Sequence, residues 1–190
     1  MSSVGGVKMT ICSVLSARAR TFLLLGGGAL LLLTVNACRT GADYRVDARD
    51  QEVRNDLAAA IPDLGSDDMA ARRQAQQALQ ERCWAAARPE QADTRRVLSR
   101  ALANALLAGA GNTVAQAFII DQLRWIGGGE AVAALTLQLS SDDGDVRDHA
   151  RRALAANPLP AAGDALAAQF DLVQDPAETK ALLLALAYRG

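Results

Sequence analysis

The sequence predicts an all-α fold: an α-solenoid of about four antiparallel helix pairs, preceded by a signal segment. Three observations predict it. The chain is rich in Ala, Leu, Arg, Asp and Gln and only 4% aromatic, a balance that favours helix over strand and close packing through small side chains. A segment near residue 64 recurs near residue 139. Apolar residues fall at helical spacing in most stretches between the turns. For 190 residues, one domain plus a targeting segment is the natural expectation. We divide the chain into a signal segment at 1–37, a short linker at 38–44 and a repeat domain at 45–190.

The leader comes first. Arg18 and Arg20 supply a positive flank, and Phe22 to Val35 (FLLLGGGALLLLTV) is an apolar run of 14 residues. That suits the core of a signal peptide and is short for a membrane span, which needs roughly 20 residues to cross about 30 Å of hydrocarbon. Met1 and Met9 are both candidate starts. The run ends Val35-Asn36-Ala37-Cys38, which resembles the bacterial lipobox. The resemblance implies that Cys38 is acylated on sulfur and becomes the new N-terminus; two or three acyl chains hold a protein firmly where one does not. Secretion with cleavage after Ala37 and an uncleaved anchor stand as the other readings. All three place the domain outside the cytoplasm, and the lipobox reading puts it in the bacterial envelope. Only Cys83 then remains as a free thiol, expected as a small buried helix residue.

The repeat is the strongest signal in the domain. Residues 64–79 (LGSDDMAARRQAQQAL) and 139–154 (LSSDDGDVRDHARRAL) align without a gap, with eight of sixteen positions identical. The offset of 75 is two periods of about 37, within the range of stacked helix pairs. In each copy an aspartate, Asp67 or Asp68 and Asp142 or Asp143, is placed to cap the helix that follows. Val146, Ala150, Ala153 and Leu154 make one apolar stripe, and Ala71, Ala75, Ala78 and Leu79 are expected to repeat it.

The remaining elements follow the same logic. Leu98, Ala101, Leu102, Ala105 and Leu106 form a stripe closed by Gly109 and Gly111. Val114 to Ile126 is the next helix, stopped by Gly127-Gly128-Gly129, and Val132, Leu135, Thr136 and Leu139 are expected to face inward on a short one. Asn157-Pro158 stops the following helix, Ala161 to Phe170 forms another, and Asp175-Pro176 opens the last. The pairs therefore run roughly 45–87, 90–126, 129–156 and 160–188. Leu182, Leu183, Leu184 and Leu186 make the last helix apolar nearly all round, which points to packing against a partner or another copy. A truncated array is the other reading.

Leu123 to Pro158 (LRWIGGGEAVAALTLQLSSDDGDVRDHARRALAANP) resembles a HEAT or HEAT-like repeat of the phycobilisome-lyase type. The pattern is a helix ending in Ile-Gly, a second helix of Ala and Leu, an acidic turn, then Val-Arg and Ala-Leu. The resemblance spans 114–158 and extends to 64–79 and 160–190. It implies that Arg72 and Arg147 pair with acidic residues of their own or the adjacent unit.

Chemistry is sparse. His149 is the sole histidine, in mid-helix beside Asp148, so neither a nucleophilic triad nor a histidine-rich metal site is expected. We assign no catalytic residue, no metal ligand and no cofactor. Trp84 and Trp125 follow apolar helical stretches and are expected as core anchors. Without Lys8, Arg18 and Arg20 of the leader the chain has 17 basic residues against 21 acidic ones, a net charge of about −4, interspersed as on a solvated helical surface. A nucleic-acid partner is not expected from such a balance.

The expectation is therefore a non-catalytic, membrane-tethered scaffold that binds another protein through the repeat surface. Arg73, Gln76, Arg151 and Arg152 are the candidate contact residues, and self-association through the C-terminal helix is a second expectation. The alternatives are a chromophore- or cofactor-attaching lyase, implied by the HEAT-like resemblance, and the N-terminal fragment of a longer repeat protein.

Overall fold

Eight α-helices follow one another in the computed structural model, which describes residues 41–189, with side chains from residue 48 onward. They are α1 (Gly41–Leu64), α2 (Met69–Ala86), α3 (Ala92–Leu107), α4 (Thr113–Ile126), α5 (Gly129–Gln138), α6 (Gly144–Ala156), α7 (Pro160–Phe170) and α8 (Pro176–Arg189); one 3₁₀ turn at Pro89–Gln91 precedes α3. No strand occurs among the described residues. The boundaries expected from the turns hold to within a few residues, except that α1 takes in residues 41–44, which the sequence reads as linker. The signal segment and Cys38 lie outside the described residues.

The turns explain the boundaries. Each even-numbered helix opens on an Asp or Asn whose side chain accepts backbone N–H groups that would otherwise be unsatisfied. Asp68 accepts from Ala70 at 2.8 Å, Asn112 from Ala115 at 3.0 Å, Asp143 from Asp145 at 2.9 Å, and Asp175 from Ala177 at 3.2 Å. Between α3 and α4 the chain reverses through Gly109 and Gly111, at φ +65° and +79°, a region that side chains with a Cβ rarely adopt.

The two copies of the repeat fold alike. In each, the serine hydroxyl accepts from the capping aspartate's N–H, Ser66 from Asp68 at 3.2 Å and Ser141 from Asp143 at 3.3 Å. In each, the arginine four residues into the helix returns to the serine carbonyl: Arg72 Nη1 to Ser66 and Arg147 Nη1 to Ser141, both at 2.7 Å. The copies differ in burial. Val146, Ala150, Ala153 and Leu154 are all buried, as expected, whereas in the first copy only Leu79 is, with Ala71 and Ala75 half-buried and Ala78 exposed. The first pair has no described neighbour on its outer side, so a methyl that is core in α6 faces solvent in α2. On α5 and its C-cap the expectation holds for Leu135 and Leu139, while Val132 and Thr136 are half-buried.

Consecutive helices pack as pairs, and the pairs pack in series. Odd helices touch the next odd helix, α1 with α3, α3 with α5 and α5 with α7; even helices do the same, α2 with α4, α4 with α6 and α6 with α8. One continuous core runs through them, from Leu57, Ile61 and Leu64 to Leu166, Leu182 and Ala185. Each fully buried leucine or isoleucine contributes roughly 1.5–3 kcal/mol, and buried alanines such as Ala115, Ala131 and Ala150 let the backbones approach. Polar ties cross between pairs: Asn112 Nδ2 donates to the Gly65 carbonyl at 2.8 Å, and Asn157 Nδ2 to the Gly128 carbonyl at 3.2 Å. Arg189, in the last turn of α8, donates to the carbonyls of Leu154, Asn157 and Leu159 and so closes the end of α6.

Candidate functional site

Both tryptophans depart from the expectation of core anchors. Trp84 is 60% exposed and Trp125 70%. The reason lies in the helical stripe: Leu79, Cys83 and Ala86 carry the buried side of α2, and Ile119, Ile120, Leu123 and Ile126 that of α4. Trp84 and Trp125 each sit next to a stripe residue rather than on the stripe, so they project outward. Tyr188 of α8 is 74% exposed in the same way. Trp125 and Tyr188 each lie thirteen residues after their N-caps, Asn112 and Asp175, and Trp84 lies one turn further along α2. Three exposed aromatics thus occupy the C-terminal halves of even-numbered helices.

Two shallow grooves lie on the same helices. The first, of about 460 Å³, joins α2 and α4 and is lined by Arg73, Gln76, Trp84 and Phe118 among others. The second, of about 360 Å³, joins α4, α6 and α8, with Arg124, Arg151 and Arg152 against a single acid, Asp148, over Ala155, Ala181 and Ala185. Leu184 and Tyr188 complete its α8 side. The Arg124 guanidinium stands 5.8 Å from the centre of the Trp125 ring, within cation–π range.

The four candidate contact residues therefore divide into two sets, Arg73 with Gln76 and Arg151 with Arg152, on two neighbouring grooves. Each set is partly engaged internally. Gln76 Nε2 donates to the Leu64 carbonyl at 3.0 Å and helps to close α1. Arg151 and Arg152 both bond Asp148, and the Arg151 side chain is only 12% exposed. Burial lowers the Arg151 pKa from its ordinary range, with Glu178 opposing that shift and Arg147 adding to it. Arg73 is exposed. The aromatics and Arg124 were legible only as positions beside a stripe, a weaker signal than the repeat.

His149 is bonded to a neighbouring helix and Cys83 is buried. His149 Nδ1–H donates to Asp121 Oδ1 at 2.8 Å, joining α6 to α4, where the sequence sets it beside Asp148. Cys83 is fully buried, and burial pushes its thiol up to about 12, far from the thiolate that nucleophilic chemistry needs. Among the described residues no group of three His, Cys, Asp or Glu is placed to hold a metal ion, and no helix is long and apolar enough to cross a membrane. No protein-family model matches the chain, and neither a curated protein nor a solved structure matches it.

Proposed function

We propose that this chain is a non-catalytic scaffold: a HEAT-like α-solenoid, exported and tethered to a bacterial membrane through lipid on Cys38, that binds another envelope protein across its even-numbered helices. The observation that carries the reading is the outward placement of Trp84, Trp125 and Tyr188 on those helices. Large aromatics are costly to leave in water, and they are enriched, with arginine, at the centres of protein interfaces. In a chain with so few aromatics, keeping both tryptophans outside the core removes their packing from the fold and leaves it for a partner. Arg73, Gln76, Arg124, Arg151 and Arg152 supply the polar contacts around them.

The serial packing of odd helices on odd and even on even supports the solenoid reading, since it gives each pair a neighbour-only interface and an extended surface without a deep pocket. Tethering would raise the scaffold's effective concentration toward a partner at the same membrane.

The test is in-cell photo-cross-linking of the full chain, with a photoreactive phenylalanine analogue at position 125 on α4 or at position 133, an exposed alanine of α5. The reading expects a discrete envelope protein captured at 125 and not at 133, with capture lost when Trp84→Ala and Arg124→Glu are added. Equal capture at both positions, or none at 125, would refute it.

A further inference from the structure

The groove that joins α4, α6 and α8 is positively charged. It takes three arginines, Arg124, Arg151 and Arg152, and one acid, Asp148. The chain beyond its leader has the opposite balance, with 17 basic residues against 21 acidic ones. Of the other acids on these three helices, Glu178 bonds Arg147, Asp121 bonds His149, and Asp145 stands in the first turn of α6. None of the three forms an ion pair with a groove arginine among the described residues. The positive excess is therefore local and runs against the charge of the domain.

The contact inside the groove shows what these arginines hold. Asp148 accepts from Arg151 Nη2 through Oδ1 at 2.5 Å and from Arg152 Nη2 through Oδ2. One carboxylate is thus shared by two guanidiniums. Each guanidinium carries five N–H donors in a planar fork that matches a carboxylate. The three arginines make no other hydrogen bond among the described residues, so most of their donors are left for an incoming acceptor. The Arg152 side chain is 55% exposed, and Arg124 is exposed against the Trp125 ring. Beside this charge Ala155, Ala181 and Ala185 leave an apolar slot, flanked by the exposed Leu184 and Tyr188.

We propose that this groove takes an acidic segment of the partner protein, with its carboxylates on Arg124 and Arg152 and an aliphatic side chain between Leu184 and Tyr188. The inference specifies the partner in the scaffold reading above and rests on that reading. Asp148 is then an internal competitor. It occupies two arginines when the partner is absent, and its own charge opposes an arriving carboxylate. Removing an acid from the groove therefore strengthens binding, which a merely solvated helix surface would not show. The receiving arginines are open to solvent, so the attraction weakens as salt is raised.

The test measures fluorescence anisotropy of a rhodamine-labelled peptide of alternating Glu and Leu with the full chain in mild nonionic detergent. The same peptide with Gln for Glu runs beside it. The Glu peptide is expected to bind at least about tenfold more tightly than the Gln peptide. Arg124→Gln and Arg152→Gln each weaken it by about three- to tenfold, and Asp148→Asn strengthens it by about threefold. Glu90→Gln, the same charge change at an exposed residue of the 3₁₀ turn, leaves it unchanged. Equal binding of the two peptides would overturn the proposal, as would an Asp148→Asn chain that binds no better than Glu90→Gln. Binding to phosphatidylglycerol vesicles that is lost in both arginine variants, with no peptide binding, would give the groove to a membrane surface instead. Capture of an envelope protein at position 125 without peptide binding would sink this inference alone. Peptide binding without that capture would sink the scaffold reading and leave the groove's preference for acid standing.

Discussion

Arg147 donates through Nε to Glu178 at 2.6 Å while its Nη1 holds the Ser141 carbonyl at 2.7 Å. One guanidinium thus ties the α5–α6 turn to the first turn of α8. Arg72, its counterpart in the first copy, makes the same bond to Ser66 at 2.7 Å with no acidic partner from an adjacent helix among the described residues.

That difference sets the relative cost of losing the two arginines. The Arg147 and Glu178 side chains are 27% and 26% exposed, so removing one partner leaves a charge with little water around it. Arg147→Ala is expected to cost about 2–3 kcal/mol and Arg72→Ala about 1 kcal/mol. Urea denaturation of both variants beside wild type measures the difference; equal losses would show that Glu178 contributes nothing.

Asp143 gives a pH-dependent counterpart. The Val146 N–H holds its carboxyl below the ordinary 3.8, with Thr113, Asp145 and Arg147 adding to the shift and desolvation opposing it. A depressed folded pKa contributes stability above the unfolded value and loses it as pH falls through the folded one. The melting-temperature gap between wild type and Asp143→Ala should therefore be constant from neutral pH down to about pH 5 and narrow below 3.8. Asp143→Asn, which still caps, should show a smaller gap at neutral pH. A gap that widened on acidification would contradict the sign.

Cys83 should be inert in the folded protein. In a full chain carrying Cys12→Ser and Cys38→Ala it is the one thiol left, and it is fully buried with its pKa pushed up to about 12. Reaction with Ellman's reagent at pH 8 should be slower than in urea by about a hundredfold or more, since it waits on opening of the helix packing. Rapid native labelling would mean that α2 is not packed as described.

The tryptophans separate a surface role from a core role by stability alone. Trp125→Ala and Trp84→Ala should each change stability by about 0.5 kcal/mol or less, where a core tryptophan would cost about 3–5 kcal/mol. Their fluorescence should be quenched readily by acrylamide in the native state. A loss of several kcal/mol would return them to the core and remove the observation on which the scaffold reading rests.

The helices were readable because turn chemistry is local. Asp68, Asp143, Gly109, Gly111, Asn157 and Pro176 mark boundaries through their own backbone and side-chain preferences, whatever packs on them. The Arg147–Glu178 tie was anticipated only through the HEAT-like resemblance, since its partners are 31 residues apart. The tryptophans were misjudged because the usual burial of large aromatics outweighed their position beside the stripes of Leu79–Cys83–Ala86 and Ile119–Leu123–Ile126. Ala78 and Ala153 show the other limit. They occupy the same place in the two aligned copies, which differ in their even-numbered neighbours among the described residues, α4 alone beside α2 and both α4 and α8 beside α6.

Cys38 is the residue on which the step from helical array to membrane scaffold depends, and intact mass with detergent partitioning tests it most directly. Wild type and Cys38→Ala are expressed in a bacterium and compared. The prediction is that wild type loses residues 1–37, gains acyl mass and enters the detergent phase, while Cys38→Ala does neither. An unmodified N-terminus at Cys38, or a retained leader in wild type, would contradict the lipid tether and leave a secreted or leader-anchored array in its place.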